Sequence, residues 1–95
     1  MAKKFYEIGL MARVKDSAVW DDFETIEWED DFEKVTDARK KARSRSKECP
    51  FKDAHGREVV AIQITCHSDE EGVSSYYLHW SETYVNGKMI RRIDY

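Results

Sequence analysis

The chain has 95 residues, with 16 Lys and Arg against 19 Asp and Glu and a net charge of −3. That length supports a single domain, 1–95, with a modest core. A balance this close to neutral excludes a polycationic nucleic-acid-binding chain, and no apolar run is long enough to cross a membrane.

Residues 3–15 read as a strand. Tyr6, Ile8, Leu10, Ala12 and Val14 alternate with Phe5, Glu7, Gly9, Met11 and Arg13, a period of two with one apolar face. Gly9 marks a bulge or a close approach by another backbone. Lys3 and Lys4 lead into this strand and not into the apolar core of a signal peptide, so none is expected.

Residues 16–22 form a loop, and 23–29 a second strand that pairs with the first as an antiparallel hairpin. Ile26 and Trp28 are expected on one face, with Thr25, Glu27 and Glu29 on the other. Val19, Phe23 and Ile26 also fit helical spacing, but Thr, Ile, Trp and Phe favour extended backbone.

A helix follows. Thr36 or Asp37 can cap it, and an Asp in the first turn suits the positive end of the dipole. Asp30 with Glu33 resembles a capping box, which would start the helix near Asp31 instead. Ala38 and Ala42 lie on its buried stripe. Lys40, Arg43, Ser44 and Lys47 point the other way. Pro50 ends it near Glu48.

Residues 50–57 read as a loop and 58–67 as a third strand. Val60, Ile62, Ile64 and Cys66 should form its buried face. A turn at 68–72 leads to a fourth strand, 73–85, with Tyr76, Leu78 and Trp80 inward. Asn86-Gly87 between two extended runs predicts a two-residue type I′ hairpin. Regular pairing from that turn sets Tyr84 against Met89, Glu82 against Arg91, Trp80 against Ile93 and His79 against Asp94. The expected fold is α+β, in the order ββαβββ: one antiparallel sheet of about five strands with the helix across one face.

Charge reverses sharply within the chain. From Asp16 to Glu33 there are nine acids and no base, and from Lys34 to Lys47 seven bases and one acid. The plain reading of the first block is a solvated surface. The functional reading is a docking face made of Asp21, Asp22, Glu24, Glu27, Glu29 and Asp30, with Trp20 and Phe23 as anchors, because aromatics within a charged rim carry interface energy. The basic helix, 36–48, offers Arg39, Lys40, Arg43 and Lys47 to a nucleic acid. Its plain reading is neutralisation by the acids of the second strand.

No catalytic or metal motif stands out. His55, His67 and His79 with Cys49 and Cys66 match no zinc spacing, so neither metal nor cofactor is expected. His79 opposite Asp94 reads as a cross-strand ion pair and not as an oriented base. Two cysteines without an extracellular scaffold suggest reduced thiols in a cytoplasmic protein.

The layout of an acidic second strand, a short Ala/Lys/Arg helix (Asp37-Ala38-Arg39-Lys40-Lys41-Ala42) and a meander through Asn86-Gly87-Lys88 resembles small phage and mobile-element proteins, including some anti-CRISPR inhibitors. The resemblance implies a stoichiometric, non-enzymatic protein that binds and blocks a host machine. On that reading, the acidic face meets a partner protein with a basic, nucleic-acid-binding surface. The alternative is direct nucleic-acid binding through the helix.

Overall fold

A computed structural model describes residues 3–14, 22–69 and 76–95. The alternating N-terminal segment forms β1 (Lys3–Arg13), which pairs antiparallel with β2 (Phe23–Phe32). The helix α1 (Val35–Lys47) follows. A two-strand hairpin of β3 (Phe51–Lys52) and β4 (Glu58–Val59) leads to β5 (Ala61–Asp69). The meander of β6 (Tyr76–Val85) and β7 (Lys88–Asp94) completes the chain. The main sheet runs β2-β1-β5-β6-β7, antiparallel throughout, so the α+β fold read from the sequence is the fold observed.

The helix lies on one face of that sheet. Ala38 and Ala42 have no side chain to hold the helix away. They pack with Ile8, Leu10, Val59, Ile62, Ile64 and Tyr84, and Tyr6, Ile26, Phe32, Phe51 and Trp80 close the rim. Each large apolar side chain in this cluster contributes roughly 1.5–3 kcal/mol by leaving water. Ser46 adds a polar link on the same helix face. Its Oγ donates to the Arg43 carbonyl at 2.9 Å and accepts the Gly87 N–H at 2.8 Å. The end of α1 is thereby tied to the final hairpin.

The helix starts at neither expected position. Lys34 is its N-cap and makes no side-chain cap bond, while Thr36 and Asp37 lie inside the first turn. The reason is β2, which runs on to Phe32 because Phe32 packs against the core. Only Glu33 and Lys34 remain to turn the corner.

The expected third strand is broken in two. The Val60 N–H donates to the Met11 carbonyl between β4 and β5. Parity changes there, so Val59 enters the helix-side core and Val60 is only half-buried. The loop between β3 and β4 is built on Asp53, whose Oδ1 accepts the N–H of His55 and of Arg57.

Four extra residues reset which side chains share a face. In β2, Ile8 and Gly9 face Asp30 and Trp28, and Leu10 and Met11 face Glu27 and Thr25. Glu29 and Ile26 are therefore unopposed, and Trp28 sits on the opposite face from Ile26, not beside it. In β6, Cys66 and His67 face Trp80 and Leu78, which skips His79. Leu78 therefore points away from the helix and is half exposed, where an inward position was expected. In β7, Ile90 is skipped.

The Asn86-Gly87 turn itself forms as expected. Asn86 has φ 52° and Gly87 φ 79°, with Val85 opposite Lys88 and Tyr84 opposite Met89. Beyond Ile90 the register moves by one. Glu82 faces Arg92 and not Arg91, Ser81 faces Ile93, and Trp80 faces Asp94. The expected His79–Asp94 pair is absent from that register. A bulge adds one residue to one strand and rotates every later side chain to the other face.

Candidate docking surface

The sheet face away from the helix carries Trp28, which is 50% exposed. It reaches that position because β2 is bulged on both sides of it and because Gly9 lies beneath its ring. A Cβ on Gly9 would stand 3.0 Å from Trp28 Cζ3 and 2.9 Å from Thr25 Cγ2. Gly9 is thus a close-approach site, but for a side chain and not for a second backbone. Thr25 holds the neighbouring position by donating its hydroxyl to Gln63 Oε1 at 2.6 Å.

Two shallow depressions flank Trp28. One is lined by Glu7, Trp28, Glu29, Asp30 and Asp31 and has a volume of about 330 Å³. The other is lined by Glu7, Trp28, Thr65, His67 and Leu78. Glu7 and Trp28 belong to both. Glu7 is the direct cross-strand partner of Asp31, so two carboxylates oppose each other on one face. Such a like-charge pair destabilises a sheet. On its other side Glu7 Oε1 lies 3.0 Å from His67 Nε2, and the His67 ring rests against Phe5 at 4.1 Å between centroids.

The sequence-expected acids divide into groups. Trp20 and Asp21 lie outside the described residues. Asp22 and Phe23 are half-buried at the start of β2, and Glu24 is exposed opposite Ala12. Glu27 is half-buried opposite Leu10. Glu29 and Asp30 line the Trp28 depression, yet both also turn toward the helix. Glu29 takes three bonds from Arg45, the shortest 2.8 Å, and Asp30 lies 4.0 Å from Lys41. Glu7, Trp28 and Asp31 were not singled out from the sequence, because strict alternation puts Trp28 under the helix.

The basic residues divide as well. Lys40, Arg43 and Lys47 are exposed on α1, with Arg43 reaching over the Tyr84 ring at 5.9 Å from its centroid. Arg39 instead turns inward to Glu82, giving 3.1 and 2.9 Å bonds to its two oxygens. Glu82 is 2% exposed and also receives Arg92 Nη1 at 2.7 Å and the Tyr84 hydroxyl at 2.7 Å. Arg39 and Arg92 both lie over the Trp80 ring, at 5.4 and 4.5 Å from its centroid. Burial alone would raise the Glu82 carboxyl, but the bonds from Arg39, Tyr84 and Arg92 outweigh it and hold it below the usual range. Burial and the Glu82 contact push the Tyr84 hydroxyl up to about 12. This network pins α1 to β6 and β7. A motif search cannot find it, since its members are far apart in sequence.

His79 Nε2 lies 2.7 Å from Ser68 Oγ. Ser68 is 2% exposed, so a substrate carbonyl has no approach to that oxygen. Cys49 and Cys66 are free thiols, and burial raises both, Cys49 to about 11. Thiols so protonated are weak nucleophiles. Among the described residues no group of three or more His, Cys, Asp or Glu could hold a metal ion, and no helix is long and apolar enough to cross a membrane. Comparison with family models finds no family that matches the chain, and comparison with curated proteins and with solved structures finds no match either.

Proposed function

We propose that this chain is a small non-catalytic binding protein that docks the acidic β2 side of its sheet on a basic surface of a partner protein, a surface of the kind that otherwise holds nucleic acid. The observation that carries this reading is the Glu7–Asp31 pair beside the half-exposed Trp28. Opposed carboxylates cost stability in the isolated fold, where Glu7 has His67 at 3.0 Å on its far side. A lysine or arginine entering the depression removes their repulsion and stacks on Trp28, an interaction of roughly 0.5–2 kcal/mol. Glu24 extends the negative field along the edge and steers the approach, while Arg45 offsets Glu29 and Lys41 lies near Asp30. The layout resemblance to phage and mobile-element inhibitors supports a blocking role in the cytoplasm of a host.

The test is a pull-down with the tagged chain followed by binding kinetics on the partner recovered. Trp28→Ala should speed dissociation, because desolvated aromatics set residence time. Glu7→Gln with Asp31→Asn should slow association and flatten its salt dependence. A partner that binds both variants at unchanged rates at low salt overturns the reading.

A second reading rests on Lys40, Arg43 and Lys47, which are each exposed on α1. Nucleic-acid binding through them predicts affinity that falls steeply with salt. A gel shift with no binding at low salt removes it. Arg39 is held by Glu82 and takes no part.

A further inference from the structure

The two edges of the sheet are β2 and β7. An edge strand presents unpaired N–H and C=O groups, and proteins guard it with charge, bulges or a cover. β2 is guarded by its five acids, Glu24, Glu27, Glu29, Asp30 and Asp31. β7 is guarded differently. Its Ile90 bulge protects only the hairpin end, and Met89, Ile93 and Tyr95 are each at least 43% exposed. Beyond the bulge the sequence reads Arg91-Arg92-Ile93-Asp94-Tyr95.

This segment complements itself when reversed. Placed antiparallel about Ile93, it sets Ile93 against Ile93, Arg92 against Asp94 twice, and Arg91 against Tyr95 twice. The faces agree as well. Arg92 and Asp94 already lie side by side on the helix face, with Arg92 Nη2 3.1 Å from Asp94 Oδ1. Ile93 and Tyr95 lie on the other face, where Tyr95 Oη meets Ser81 Oγ at 3.4 Å.

The backbone polarity fits too. The Tyr95 N–H donates to the His79 carbonyl, so Tyr95, Ile93 and Arg91 direct their amides toward β6. Arg92 and Asp94 then direct theirs outward, by the alternation of an antiparallel ladder. Those are the two residues that would exchange backbone bonds with a second copy, and they carry opposite charges.

We propose that β7 pairs with β7 of a second copy about a two-fold axis at Ile93, giving a ten-stranded sheet with an acidic β2 edge at each end. The interface is isologous and closes at the dimer. Five residues a side is far short of the roughly 20–30 of a stable complex, so association should depend on concentration, with Kd on the order of 100 µM.

Sedimentation equilibrium from about 1 µM to about 1 mM tests this directly. The wild-type chain should pass from monomer to dimer and stop there. Asp94→Pro removes an outward N–H, the position where an edge strand accepts proline, and should raise Kd at least about 10-fold. Ile93→Lys puts two ammonium groups at the axis and should do the same. Ile93→Cys should form an intermolecular disulfide under mild oxidation, since directly opposed residues of a non-hydrogen-bonded pair are about 4.5 Å apart at Cα. Lys88→Cys, on the hairpin side of the bulge, should not. This crosslinking pair reads the register even if a variant alters folding. A wild-type chain monomeric throughout, an Asp94→Pro chain that dimerises unchanged, or equal crosslinking at 88 and 93 overturns the proposal. Species larger than a dimer also overturn it, because they mean head-to-tail pairing of β7 with β2.

Discussion

β2 and β7 close the same sheet, yet each is held and guarded by different means. β2 is ten residues long, is bulged twice and is fastened to the helix by exposed groups, Arg45 with Glu29 and Lys41 near Asp30. β7 is seven residues long, is bulged once and is fastened from beneath by the buried Glu82 through Arg92. The acidic edge keeps its carboxylates near one another and repels a copy of itself. The β7 edge alternates sign and can meet a copy of itself. On the two proposals above, charge placement gives one sheet an edge for a basic partner and an edge for its own kind.

The two fastenings differ most when broken. Glu82→Ala leaves Arg39 and the Tyr84 hydroxyl without their acceptor and leaves Arg92 with Asp94. A fully buried break of this kind costs more, but both guanidiniums are about one-third exposed and can reach water. The expected loss is about 3 kcal/mol in urea unfolding. The same group sets an acid limb. Its folded pKa lies below its unfolded value, near the ordinary 4.5, so its stabilisation is present above that value and is lost as pH falls toward the folded one. The wild-type midpoint should fall below about pH 4.5 more steeply than that of Glu82→Ala. Parallel acid limbs would show that Glu82 does not anchor β7.

The turn that launches β7 comes next. Gly87 has φ 79°, and a Cβ there would stand 2.6 Å from Lys47 Cε. The lysine chain can move, but the positive φ cannot be relieved for a β-branched residue. Gly87→Val should cost about 2 kcal/mol. An unchanged denaturation midpoint would mean that the hairpin does not set the strand.

How far these edges could be read in advance depended on whether a residue announces itself. Asn86-Gly87 does, because positive φ at two successive positions has few other sequences. The helix end does, because Pro50 restricts the residue before it. Bulges do not. Glu29, Ile26, His79 and Ile90 are ordinary strand residues, and nothing in an alternating pattern says which one lacks a partner. Regular alternation therefore placed Trp28 and Leu78 in the wrong face and set Glu82 against Arg91. The acidic block was legible as a block, but its focus on Glu7, Trp28 and Asp31 required the bulges. Glu82 was legible only as a cross-strand partner of Arg91, since only the folded sheet brings Arg39 and Arg92 over it.

The fastening of β2 should be the weaker one. Arg45 makes three bonds to Glu29 and one to Glu48, and its guanidinium lies 4.0 Å from the Phe51 ring centroid. All of this sits at the surface. Arg45→Ala should cost about 1 kcal/mol, and less at high salt. A loss as large as that of Glu82→Ala would erase the contrast between the two edges.

The smallest expected effect has the opposite sign, and its sign is what matters. Most substitutions destabilise, and an exposed acid at an ordinary surface position changes stability by less than about 0.5 kcal/mol in either direction. Asp31 is not at an ordinary position, because Glu7 stands directly across from it. Asp31→Asn keeps the shape and removes the repulsion, so the isolated chain should gain about 0.5 kcal/mol at low salt. The gain should shrink as salt rises, since screening already relieves the wild-type pair. Glu7→Gln offers no such clean reading, because it also changes the His67 contact at 3.0 Å. A chain that loses stability on Asp31→Asn holds that carboxylate for its own fold, and the depression beside Trp28 then has no strain for a partner to relieve. A chain that gains stability while binding its partner more slowly carries the acid at the expense of its own fold and for the sake of the complex.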